Sequence, residues 1–294
     1  MDGGRPRLAP CGPGPRFRAS SLHMFRTPAP SPTAPARVYL SPHPDDAVLS
    51  SGGAIAAATR RGEQVLVITA CSGAPPPGSP LSPYAQRLLA GWGLPDALAA
   101  AEARRAEDLA AARAVGADVR WLDLLDAIFR DPDAYSVGPG PFRAPAPGDP
   151  LAADLERALA ALLAPWPQAP LYAPLGVGQH VDHEAAHAVA ASLARAGRPV
   201  FFYEDQPYTT RPGALDERLR RLDGALARPL EPVIEPLDEA ALAQKIAGVA
   251  CYAGQIAMLF GGLGAMAETL THHAASLSTS DAPYGERLWA SGPA

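Results

Sequence analysis

Short apolar runs recur along this chain, each separated from the next by an alanine-rich stretch of helical length. That rhythm confines the fold more than any other feature. Val38–Leu40, Gln64–Ala70, Val119–Leu124, Pro170–Pro174 and Val200–Tyr203 read as strands. Ala47–Arg61, Ala97–Val115, Leu151–Ala164, a segment opening near His183, and a long Asp238–Leu259 read as helices. The pattern predicts an α/β fold: a Rossmann-like, doubly wound, mainly parallel sheet with helices on both faces and a C-terminal helical section. Ligands of such sheets sit beyond the carboxyl ends of the strands. Two proline- and glycine-rich insertions, 74–96 and 131–150, are placed to shape a pocket.

Hydrophobic residues make up 48% of the 294, enough to build a sizeable core and to exclude wholesale disorder. A net charge of −5 gives no reason to expect a nucleic-acid partner. Three scattered cysteines fit neither a disulfide framework nor a paired metal motif, which points to a reducing cytoplasm. No apolar stretch is long enough for a membrane span. Residues 1–36 are dense in proline and arginine without an apolar segment, so they are set apart as a disordered leader, with Met24 as an alternative start; residues 37–294 form the expected domain. Oligomeric state is left open.

Two clusters carry the chemistry, His43-Pro44-Asp45-Asp46 and His180-Val181-Asp182-His183. Each follows a strand and precedes a helix, so the two can share one crevice. Imidazole and carboxylate are ordinary zinc ligands, and a catalytic zinc keeps three of them plus a water. Either cluster alone reads equally as a turn with a helix cap; together they point to a metal site.

SPHPDDAVLSSGG at 41–53, RRAE at 104–107 and GQHVDH at 178–183 resemble the PIG-L/LmbE-like N-acetylglucosaminyl deacetylase family. YEDQPY at 203–208, Lys245–Gln255 and GERLW at 285–289 extend the likeness over most of the expected domain. The resemblance implies zinc, or another divalent metal such as Fe2+, held by His43, Asp46 and His183. It implies Asp45 as general base, His180 as the group that polarises or protonates near the scissile amide, and Asp182 as the residue orienting His180. The implied reaction removes an N-acetyl group from an N-acetylglucosaminyl or related amino-sugar conjugate, a small molecule or glycan precursor. Two departures stand out: Ala47 where the family often has Glu, and Gly178 where some members carry a tyrosine.

The substrate-binding candidates are Arg104, which the family pattern places near sugar hydroxyls, with Asp126, Glu204, Asp205 and Tyr208. Each has a plainer reading. Arg104 can form an ion pair with Glu107, Asp126 can cap a helix, and Glu204 and Asp205 can satisfy loop backbone. Arg130 belongs with Asp126 on the same terms, and Arg105 is expected at the surface. His187 is read as a packed helix residue and Cys71 as a small buried hydrophobe. No GxSxG motif supports a serine hydrolase. Two rival functions are a carbohydrate-binding protein without turnover and a metal hydrolase of another bond, such as a phosphoester.

Overall fold

The strand and helix rhythm is present in the computed structural model, which describes residues 34–131, 133–136, 140–223 and 229–291; the leader, apart from residues 34–36, lies outside the described residues. β1 (Arg37–Ser41), α1 (Asp46–Arg60) and β2 (Val65–Thr69) open the fold. α2 (Pro83–Trp92), α3 (Ala97–Ala114), β3 (Asp118–Trp121) and a single turn α4 (Ala127–Arg130) follow. Then come α5 (Leu151–Leu163), β4 (Leu171–Pro174), α6 (Val181–Arg195) and β5 (Val200–Tyr203). The C-terminal part holds α7 (Ala214–Leu222), β6 (Leu230–Leu237), α8 (Glu239–Val249), α9 (Ala253–Phe260), α10 (Leu263–Ser276) and β7 (Tyr284–Ser291).

The seven strands form one sheet in the order β3-β2-β1-β4-β5-β7-β6. β3 through β5 run parallel, while β7 lies antiparallel to both β5 and β6. The chain winds outward from β1 to β3, then returns to place β4 on the other flank of β1. The strand order therefore switches between β1 and β4, and their carboxyl ends open the crevice where such sheets bind ligands.

Alternate residues of β1 build the two layers. Val38 and Leu40 enter a core with Leu155, Leu159 and Val189 of α5 and α6. Tyr39 faces the other, with Val48, Ile55, Val115, Val249 and Leu270. Both layers are sealed.

Three expectations need correction. The long helix expected at Asp238–Leu259 is broken: Tyr252 leaves helical geometry with ψ 58 and buries its hydroxyl on Asp108, and Gly261 at φ 77 ends α9. α6 starts at Val181, because His180 itself is the N-cap. The sequence reading contained neither β6 nor β7. β6 is a mostly exposed edge strand carrying Pro232 and Pro236, and proline is tolerated there because one side of an edge strand needs no ladder donor. Within the first insertion, Ser82 caps α2 through the amide of Ala85, with Pro83 as the first helical residue. No helix among the described residues is long and apolar enough to cross a membrane.

Candidate active site

The turn after β1 is folded around its own side chains. Ser41 Oγ donates to the His43 carbonyl at 2.6 Å and accepts from the Ala47 amide at 3.0 Å. Asp46 turns back so that its Oδ2 accepts from the His43 amide at 2.8 Å and lies 3.2 Å from His43 Nδ1. Between them Asp45 sits at φ 136, ψ −40, a conformation that costs a non-glycine residue about 1–3 kcal/mol and is kept only where its surroundings enforce it.

The turn after β4 supplies the facing side. His183 Nε2 lies 3.3 Å from the same Asp46 Oδ2, so Asp46 stands between the two imidazoles. The far nitrogen of each ring is held by a carboxylate. His43 Nε2 meets Asp182 Oδ2 at 3.0 Å, and His183 Nδ1 meets Asp205 Oδ1 at 2.6 Å. Asp205 also accepts from the amides of Gly176 and Val177, and Asp182 accepts from the Ala127 amide and the Arg130 guanidinium. Such outer carboxylates fix the tautomer and raise the basicity of a ligating histidine. His180 differs: its Nδ1 accepts from the Asp182 amide at 3.2 Å, which leaves the proton on Nε2.

The electrostatics follow from crowding buried carboxylates around imidazoles. Burial pulls His43 down, but Asp126, Asp182 and Asp46 overcome it and push it up to about 10. His183 is raised too, by Asp46 and Asp205 against the same burial. His180 goes the other way, kept neutral by burial and then by its two imidazole neighbours. Burial and the Asp46 carboxylate push Asp45 up to about 7, against Arg104 and His43. Asp46 is held well below the carboxylate range, the imidazoles outweighing burial.

This donor set fits a divalent cation. One ring nitrogen from each of His43, His180 and His183 lies within 4.8 Å of the others, all three residues are buried, and Asp46 adds an anionic oxygen. A second grouping, His43 with Asp126, His180 and Asp182, is equally close-knit. In it Asp182 is already committed to Arg130, the Ala127 amide and His43, so it acts as support for a ligand.

The cluster forms the floor of a cavity of about 310 Å³. Asp45, Arg104, Asp126 and Tyr208 line it with the histidines. Arg104 donates to the Pro44 carbonyl and, at 3.3 Å, to Asp45 Oδ2, not to Glu107, which instead accepts from the Gly254 amide. Asp126 does two things at once: it caps α4 and brings Oδ2 within 3.7 Å of His43 Nε2. Glu204 and Asp205, expected on a sugar-binding rim, are absent from the lining. Glu204 is buried under Arg287 and Trp289, and Asp205 lies behind His183. The side chain of Asp182, expected on His180, reaches His43 instead, held there by Arg130 and the Ala127 amide, while His180 Nδ1 accepts from the Asp182 amide. Arg105, expected at the surface, is half-buried and donates to the Ser72 carbonyl. His187 packs on Phe202 with Nδ1 on the Pro174 carbonyl, and Cys71 is buried.

Tyr208 fills the space above Gly178. A Cβ on that glycine, at φ 89, would come within 2.6 Å of the ring. Sequence reasoning missed the wall of Tyr84, Leu88 and Trp92 from α2, Phe142 from the second insertion, and Met258 and Leu259 from α9. The one signal for it was the four-residue spacing of Tyr84, Leu88 and Trp92, which puts them on a single helix face.

The model of the family described as PIG-L: GlcNAc-PI de-N-acetylase matches residues 38–194, which span both turns. The 2′-N-acetylparomamine deacetylase of Streptomyces fradiae is 30% identical over 283 residues, covering 87% of this chain and 90% of that protein. Among solved structures, the deacetylase of A40926 pseudoaglycone superposes with a TM-score of 0.70 at 29% identity, covering 87% of this chain and 97% of that one. A zinc-inhibited form of teicoplanin deacetylase gives 0.70 at 28%, covering 86% and 96%. This chain is therefore a metal-dependent N-deacetylase that belongs to the PIG-L family.

Proposed function

We propose that the cavity hydrolyses the acetamide of an N-acetylated amino-sugar conjugate, with His43, Asp46 and His183 holding a zinc or other divalent ion. One observation carries the ligand choice. The two imidazoles each have one nitrogen pinned by an outer carboxylate and the other free to turn toward Asp46, whereas His180 has its pinned nitrogen on a backbone amide. His180 is thereby kept as a neutral donor. A divalent ion bound there would supply Lewis acidity and an acidified water.

The chain's own groups then divide the proton work. Asp45, held at the cavity floor by its strained backbone and by Arg104, takes a proton from the water that attacks the acetyl carbonyl. His180 Nε2–H donates to the carbonyl oxygen as negative charge develops on it. Asp45 returns the proton to the departing amine, giving acetate and a free amino sugar. Asp182 and Asp205 act through His43 and His183 as positioning residues. Arg104, Asp126 and Tyr208 face the sugar. Tyr208 lines the cavity with its ring seated against Gly178. The reading includes a cytoplasmic location, supported by the free buried thiols of Cys71 and Cys251, and no nucleic-acid partner, supported by the net charge of −5.

The test is acetate release from a panel of N-acetylated amino sugars by protein loaded in turn with zinc and with ferrous iron. Release that stops on chelation and returns with metal is the expected result. A loaded protein that binds these sugars but frees no acetate would be the carbohydrate-binding rival.

A further inference from the structure

The cavity is sharply divided. Its floor is ionic, but its outer wall is built from Tyr84, Leu88, Trp92, Phe142, Met258 and Leu259. α2 shows how deliberate that wall is. Ala85 and Leu89 already supply its core-facing stripe and are buried, whereas Tyr84, Leu88 and Trp92 form a second, half-buried apolar stripe that lines the cavity, with the Arg104 guanidinium over the Trp92 ring. Opposite, Met258 is 56% exposed and Phe142 38%, two of the few large hydrophobic side chains left to solvent among the described residues. Exposed apolar surface contiguous with a binding cavity marks a ligand contact.

Charge narrows the ligand further. The lining carboxylates are Asp45, Asp46 and Asp126, the last close enough to Tyr84 to act on its hydroxyl, and the charged group that lines the cavity beside Tyr208 is Arg211. On the side of Phe142, Met258 and Leu259 the lining holds no carboxylate among the described residues, and Asp126, on the side of Tyr84, is already drawn toward His43 and Arg104.

Resting on the deacetylation reading, we propose that the group glycosidically joined to the amino sugar is a large aromatic or aliphatic aglycone without positive charge. The sugar's acetamido end meets the floor, and the aglycone lies between α2 and α9 against Phe142. An unconjugated sugar leaves this wall wet, and a polyamine-bearing conjugate finds repulsion there.

The experiment compares kcat/KM for acetate release from N-acetylglucosamine, its 4-methylumbelliferyl and octyl β-glycosides, and 2′-N-acetylparomamine. The two apolar glycosides should exceed the free sugar and the paromamine compound by at least about tenfold, the scale of one or two buried apolar groups. Met258→Glu, at an exposed position that folding tolerates, should lower the ratio of aryl glycoside to paromamine compound by about fivefold or more, mainly through KM. Trp92→Ala should lower it through the opposite wall. Equal kcat/KM across the panel, a preference for the paromamine compound, or an unchanged ratio in Met258→Glu overturns the inference while leaving deacetylation standing. Absence of acetate from every member overturns the deacetylation reading and this inference with it.

Discussion

The two strand-end turns do the same job by opposite means. The β1–α1 turn is held from within: Asp46 grips the His43 amide, Ser41 caps the Ala47 amide, and Asp45 bears a strained φ of 136. The β4–α6 turn takes its positive φ mostly at Gly176 and Gly178, with Gln179 at φ 62 in the milder left-handed helical region, and its order comes largely from outside, from Asp205 on the backbone and on His183. The difference separates roles. A turn that stores strain can fix two adjacent carboxylates in different directions, one toward the imidazoles and one toward the cavity. A turn held by outer partners can present two imidazoles in different protonation states three residues apart.

Variants can break that contrast. His183→Ala removes a proposed ligand, so bound metal measured by atomic absorption and acetate release should both vanish. Asp45→Asn should retain the metal while losing about 10²–10⁴-fold in kcat, the usual worth of a general base; near-normal kcat would reassign the base. Asp205→Asn tests the outside-held turn. It should cost about 10–100-fold in metal affinity or activity, with excess metal restoring part of the rate. Asp182→Asn should behave alike but through His43, so the two variants combined should lose more metal affinity than either alone.

How legible this was in sequence depends on how local the cause is. The parallel strands are continuous apolar runs, and the two His/Asp clusters are contiguous, so the half of the sheet that bears the site could be read directly. The partners were another matter. Asp205 reaches His183 across 22 positions, and Asp182 faces His43 across 139, its carboxylate held by Arg130 and the Ala127 amide. Neither fact has a local signature. β6 was hidden because an exposed edge strand with two prolines lacks the strand pattern, and the Tyr84–Trp92 stripe because the loop before it gave no reason to look for a helix.

The smallest effect on turnover is expected behind the strained turn, where the C-terminal section braces it. α1 leaves helical geometry at Ser51, with φ −126 and ψ 17. The Ala54 amide and Ser50 carbonyl, partners in an unbroken helix, each meet a side chain there: Glu286 Oε2 at 2.8 Å and Lys245 Nζ at 3.2 Å. Glu286 and Lys245 pair at 2.6 Å, both buried, so the ion pair stands in for one helical bond. Glu286→Gln leaves the Lys245 charge buried without a counter-ion, which should cost about 3–5 kcal/mol in urea unfolding. Because Ser41 and Asp46 hold the first turn independently, kcat of the folded fraction should fall less than about fivefold, a change of under 1 kcal/mol in the barrier. A large kcat loss at unchanged stability would mean that the turn is set from behind and not from within, and the contrast between the two turns would fail.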